Sequence, residues 1–120
     1  MPIKSNWLSL WKLRMRKNKI FQDAENIEIS KGQIVEIGTK IKKKLPKFQF
    51  MGILKILKKD YNKLFKFYKK IKNNKIDFTN FLNLAIKNKI IRIKAQRTKK
   101  FWLEIDTKKD FILANKILKK

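Results

Sequence analysis

The stretch FTNFLNLAIKNK, residues 78–89, has two competing periodicities, and the fold turns on which one wins. Phe78, Phe81, Leu82 and Ala85 share a face at helical spacing. Leu82, Leu84 and Ile86 share a face at strand spacing. Periodicity alone leaves both readings open, so the architecture has to be approached from the flanks.

Upstream, FQFMGILKIL (48–57) is apolar on both alternating faces, with Phe48, Phe50, Leu54 and Ile56 on one and Met51, Ile53 and Leu57 on the other. Such a pattern predicts a central strand. Asp60 is the expected N-cap of the helix that follows, YNKLFKFYKKIKNN, which places Tyr61, Leu64, Phe65, Tyr68 and Ile71 on an apolar face. Lys63, Lys66, Lys69 and Lys70 line the other face with Phe67 beside them, and Asn73-Asn74 turns the chain out. Downstream, IIRIKAQR alternates Ile91, Ile93 and Ala95 with Arg92, Lys94 and Gln96, and FWLEID turns Phe101, Leu103 and Ile105 inward. Both read as strands. Thr107 followed by Asp110 resembles a capping box, opening a terminal helix with Phe111, Ala114, Asn115 and Leu118 on one face.

From residue 48 the order is strand, helix, open element, strand, strand, helix. This is an α+β pattern of the ferredoxin-like sandwich type. Residues 1–47 are read as a basic N-terminal extension, with Ile27, Ile29, Ile34, Val35 and Ile37 forming a short hairpin about Lys31-Gly32. Pro46 and a shift to nearly pure lysine put the boundary at 46–48, giving a main domain of 48–120.

Charge restricts function more than any motif. The 120 residues carry 33 Lys plus Arg against 9 Asp plus Glu, a net +24. A small domain usually works at a net charge of about 2–8. Self-repulsion on this scale opposes a stable free monomer, so a polyanionic partner is expected. The only arginines are Arg14, Arg16, Arg92 and Arg97. Lys, Ile and Asn are residues of A/T-rich codons, so part of the lysine excess is compatible with an A/T-rich, organellar genome.

The absence of Cys and His removes disulfides, thiolate sites, the commonest metal ligand and the commonest general base. Scattered acids and isolated glycines offer neither a carboxylate pair for acid–base work nor a phosphate loop. The chain is read as a non-enzyme with no cofactor, no metal and no small-molecule substrate. Its longest uncharged runs are about half the length of a membrane span, so no transmembrane insertion is expected.

The basic segment 1–20 interleaves Trp7, Leu8, Trp11 and Met15 with cations and has three readings: a mitochondrial transit peptide, a surface helix, or an extension laid on RNA. Candidate phosphate contacts are Arg14, Arg16, Lys58, Lys59, Arg92, Lys94, Arg97, Thr98, Lys99, Lys100, Lys108 and Lys109. The repeated Thr-Lys-Lys (98–100 and 107–109) puts one lysine pair at a hairpin tip and the other at a helix start, where peptide N–H groups attract anions. Trp7, Trp11, Phe67 and Trp102 are candidates for base stacking or protein contact.

These pieces resemble the small-subunit ribosomal protein ten family. Leu103-Glu104-Ile105-Asp106-Thr107-Lys108-Lys109 is similar to the family's "FEIRTHKR" segment, with Asp106 and Lys108 replacing its Arg and His. GILKILKKDYNKLFKFYKKI (52–71) resembles its opening strand and helix, and LAIKNKIIRIKA (84–95) its "LPTKKERFTVLRS". A second register sets Gln96-Arg97-Thr98-Lys99-Lys100 on "IRTHK", with Lys99 in place of His, and is preferred because strand and helix then fall where the family has them. The family's prolines around its long loop are missing.

The resemblance implies a structural subunit in the head of the small ribosomal subunit, bound to ribosomal RNA and to neighbouring ribosomal proteins. A mitochondrial matrix ribosome is the expected location and organelle encoding the expected origin, with the cytoplasmic ribosome as the alternative. The competing functions are a non-specific DNA-binding or nucleoid protein and a basic membrane-surface protein anchored by residues 5–20.

Overall fold

The computed structural model describes residues 25–41, 46–98 and 103–119. Their architecture is a small α+β one: an antiparallel hairpin of β1 (Glu25–Ser30) and β2 (Gln33–Lys40), then helices α1 (Lys58–Lys70), α2 (Phe78–Lys87) and α3 (Lys108–Leu118). The chain divides into two compact units. Ala24–Gln96 holds the hairpin, α1 and α2, while α3 belongs to the other.

The ambiguous stretch is a helix. Asp77 decides it: its carboxylate accepts from the backbone N–H of Asn80 at 2.8 Å, an N-cap that fixes where helical geometry starts. The helix closes equally firmly. Lys89 N–H donates to Ile86 C=O at 3.0 Å and Ile90 N–H to Ala85 C=O at 2.9 Å, the paired bonds of a Schellman motif. Lys89 holds the left-handed position of that motif at φ 57°.

Two apolar faces of α2 organise the unit. Leu82 packs with Ile27 and Ile37 of the hairpin, and Phe48, Phe50, Leu54, Ile91 and Ile93 close around that cluster. Phe81 and Ala85 pack with Leu64 of α1, bordered by Phe67, Ile71 and Ile76. The hairpin assigned by sequence to an extension is therefore part of the core, and the boundary expected at 46–48 does not separate compact units. Its isoleucines are needed to bury one face of α2.

Close contact between hairpin and helix depends on Gly38. Its φ is +81°, and a Cβ there would stand 2.9 Å from Thr79 Oγ1 and 3.0 Å from the Thr79 backbone carbon. Polar bonds then pin the approach: Ile37 N–H donates to Asn83 Oδ1 at 3.1 Å, and Thr79 Oγ1 donates to Glu25 Oε1 at 2.9 Å. Glu28 and Glu36 are register partners across the hairpin, a repulsive pair. Asn26 Nδ2 donates to Glu36 at 2.8 Å, and Lys87 of α2 comes within 3.7 Å of the same carboxylate, offsetting that repulsion.

Three expected strands are absent among the described residues. Segment 48–57 has no ladder: Gly52 takes φ +83°, breaking the extended run, and Gln49 Nε2 fastens it to β1 by donating to Glu25 C=O at 2.6 Å. Only its Phe48, Phe50 and Leu54 reach the core, while Ile53 is 76% exposed, so it is not a doubly buried strand. Segment 90–97 keeps its alternation, with Ile91 and Ile93 inward and Arg92 and Lys94 outward, but pairs through one bridge, Lys94 with Gln33. Two backbone bonds flank it, Ile34 N–H to Ile93 C=O and Ala95 N–H to Gly32 C=O. Its backbone pairing with the hairpin is at the turn end. Residues 103–106 are not a strand, and Ile105 is exposed, not inward.

The helix ends also differ from expectation. α1 begins at Lys58 with Leu57 as N-cap, so Asp60 sits inside the first turn, where its charge suits the positive helix end. In α3, Thr107 and Asp110 form the expected capping box. Ala114 is buried there, whereas Phe111, Asn115 and Leu118 are exposed.

Two substitutions test this geometry by chemical unfolding. Gly38→Ala adds left-handed strain and a clash with Thr79, and should destabilise the chain by about 1–3 kcal/mol. Lys89→Gly relieves a side chain from the left-handed cap and should leave stability unchanged or raise it by up to about 1 kcal/mol. Equal losses for both would contradict the assigned cap.

Candidate nucleic-acid interface

α1 carries a cationic stripe and an aromatic stripe side by side. Lys59, Lys63, Lys66 and Lys70 recur at spacings of three and four, so they share one face, and all are exposed. Tyr61, Phe65 and Tyr68 form a second stripe by the same spacing, with exposures of 56%, 46% and 41%. Lys58 and Lys69, three or four residues from these rings, border it on the helix surface.

The sequence placed those three aromatics inward and Phe67 outward. The helix is rotated from that expectation: Leu64, Phe67 and Ile71 are its core contacts, and Phe67 lies 6.0 Å from Phe81 between ring centroids. Phe67 is thus a packing residue more than a free stacking surface. The stacking candidates that sequence reasoning missed are Tyr61, Phe65 and Tyr68. No local signal marked them, since the choice of face is made by contact with α2; Ile56, just before the helix, is exposed and lines the same groove.

Tyr61 and Phe65 stand nearly parallel, 5° between planes and 6.2 Å between centroids. Lys69 Nζ lies 4.4 Å from the Phe65 ring centroid, a cation–π contact. Tyr68 meets Phe81 edge-on at 5.7 Å. Together with Ile56, Leu64 and Phe78 these rings line a shallow open groove of ≈170 Å³.

The other cationic candidates divide between the two units. Lys58, Lys59, Arg92 and Lys94 are exposed in the unit 24–96. Arg97, Thr98, Lys108 and Lys109 are exposed and belong to the other. Arg14, Arg16, Lys99, Lys100, Trp7, Trp11 and Trp102 lie outside the described residues.

At the α3 start the capping chemistry revises the phosphate reading. Asp110 Oδ2 accepts from Thr107 N–H at 3.0 Å and from Asp106 N–H at 3.1 Å, while Thr107 Oγ1 accepts from Asp110 N–H at 3.2 Å. The capping groups thus serve the N–H groups of Asp106, Thr107 and Asp110, and the Asp110 charge would oppose a phosphate bound beside Lys108 and Lys109.

A second, polar groove of ≈390 Å³ is lined by Asn73, Lys75, Ile76, Asp77, Asn80, Asn83 and Leu84. The Asn80 backbone N–H holds the Asp77 carboxyl below its usual range, against some desolvation and helped by Asn80 and Thr79 side chains. Of the groove's polar groups, Asp77 and Asn80 serve the α2 cap, with Asn80 Nδ2 donating to Asp77 Oδ2 at 2.7 Å, while Asn83 and Asn73 accept from Ile37 and Lys75 N–H. Among the described residues no cluster of three acids, His or Cys could hold a metal, and no helix is long and apolar enough to cross a membrane. No protein-family model, curated protein or solved structure matches this chain.

The Asp77 cap predicts a pH dependence. Its folded-state pKa is depressed, so its stabilisation is present above the ordinary carboxylate range and is lost as pH falls through it. Asp77→Ala should cost about 1 kcal/mol at neutral pH. Asp77→Asn, still a good cap, should stay close to wild type there and lose less stability on acidification from about pH 5 to pH 2. Unfolding curves that fall equally with pH in wild type and Asp77→Asn would remove Asp77 from the acid response.

Proposed function

We propose that this chain is a structural constituent of the small ribosomal subunit, of its head region, binding ribosomal RNA mainly by neutralising backbone phosphates and contacting neighbouring ribosomal proteins. The observation that carries the RNA-binding reading is the exposed cationic stripe of α1 in a chain of net +24. Exposed lysine against phosphate releases condensed counterions, which gives affinity without base reading. RNA also supplies the counter-charge that such a chain needs in order to compact.

The ribosomal identity rests on the motif resemblance at 52–71, 84–95 and 96–109. The ferredoxin-like sandwich read from the order of elements would require 48–57 and 101–106 to join a larger sheet, whereas the sheet of the described residues is two-stranded. The role is non-catalytic and cofactor-free, and its proposed setting is the mitochondrial matrix ribosome. Contacts to phosphates need charge and exposure and do not need the sandwich.

Sedimentation of the tagged chain in its native extract tests the identity. Co-migration with a small ribosomal subunit that persists at moderate salt and collapses after RNase is the expected result. Migration with DNA, with membranes or as a free small protein overturns it. The phosphate contacts are tested separately by salt titration of RNA binding. Lys63→Gln, Lys66→Gln and Lys70→Gln combined should flatten the log K against log salt slope by about 2. An unchanged slope would mean that this stripe does not face RNA.

A further inference from the structure

We propose that the groove beside α1 seats unpaired nucleotides, stacked on Phe65 and Tyr61, with Lys69 transferring from the ring to a phosphate as a base arrives. The proposal rests on the RNA-binding reading and adds to it a single-strand site that phosphate neutralisation by itself does not provide.

Three observations point to a nucleotide as occupant. The groove is apolar and cations outnumber acids around it: Lys58 and Lys69 adjoin the aromatic stripe by helical spacing, against Asp60, the acid of α1, four residues before Leu64 of the lining. An anionic partner is therefore favoured over a second copy of this +24 chain. Next, Tyr61 and Phe65 are exposed and their ring planes are nearly parallel, so their π-faces share a common direction. Bases stack on such faces without regard to sequence. Finally, Lys69 Nζ already lies over Phe65, 4.4 Å from its centroid. An exposed cation–π contact is weaker than base–aromatic stacking, so a base can displace the ammonium. The displaced cation then sits beside the incoming nucleotide's phosphate, where its charge counts again. The two Tyr hydroxyls on this stripe, of Tyr61 and Tyr68, add donors suited to base edges or a ribose 2′-OH.

The test uses the full chain and a short single-stranded oligo(A) RNA carrying one 2-aminopurine, compared with the same strand in a duplex. Binding to wild type should quench the probe in the single strand. Phe65→Leu keeps apolar bulk and removes the π-face; it should weaken single-strand binding by about fivefold or more and relieve quenching, with duplex binding nearly unchanged. Tyr61→Ala should act in the same direction, and circular dichroism checks that helix content is kept. Single-strand binding by Phe65→Leu equal to wild type overturns the proposal. So does wild-type strength in Phe65→Leu combined with loss in Phe65→Ala, which would mark the groove as an apolar protein-docking surface. Failure of wild type to bind either RNA would instead overturn the RNA-binding reading itself, and the stacking site with it.

Discussion

The unit 24–96 depends on α2 being buried on two sides. Leu82 is 1% exposed and Ala85 0%, and they serve different clusters, one with the hairpin and one with α1. A helix of ten residues has marginal stability alone, so its caps and its neighbours have to hold it. Asp77 and the Schellman turn fix its ends, and Gly38 lets β2 approach closely enough for Ile37 and Leu82 to meet. A side chain at Gly38 would push the hairpin away from Thr79, and the loss would reach the Ile27–Ile37–Leu82 cluster. The position of α1 is thereby tied to a glycine on a strand that it does not itself touch in that cluster.

How much of this was legible depends on whether the information was local. The helix starts at Thr107 and the hairpin turn at Lys31-Gly32 are written in a few adjacent residues, and both were read correctly. Residues 78–89 were ambiguous because Leu82 fits both periodicities. Asp77, a preferred cap residue directly before the stretch, is the local signal that decides between them. Segment 48–57 misled for a different reason. Its two apolar faces imply burial on both sides, but one face is largely left open, and Gly52 interrupts the run. In segment 90–97 the alternation was legible and its partner was not, since pairing with the hairpin turn is a long-range event that no local pattern encodes.

The candidate site shows the same limit in sharper form. Lysine exposure followed directly from composition, and every described lysine and arginine named from sequence is indeed exposed. The aromatic assignment did not, because α1 has aromatics around much of its circumference and a rotation of roughly one residue exchanges Phe67 with Tyr68. Contact with Phe81 and Ala85 of α2 selects the face. That contact is tertiary, so it could not be recovered from α1 alone. The outcome leaves Tyr61, Phe65 and Tyr68 beside lysines, a combination that mean hydropathy or charge counts do not distinguish from a buried stripe.

A small core and a large charge act against each other in this chain. Among the described residues of the unit 24–96 the buried apolar side chains are Ile27, Ile37, Leu64, Phe81, Leu82 and Ala85, and several larger ones stay open to solvent. A core of that size leaves a narrow margin. Lysines spread along α1 then repel one another most when the chain is compact. A polyanion that binds the folded chain would relieve the repulsion and stabilise the fold by mass action, in proportion to how far its concentration exceeds its dissociation constant. Covering the aromatic groove would add to that gain by removing apolar surface from water. On this argument the features that look costly in the isolated chain, open rings and dense lysine, are the ones whose energies change sign when nucleic acid is present.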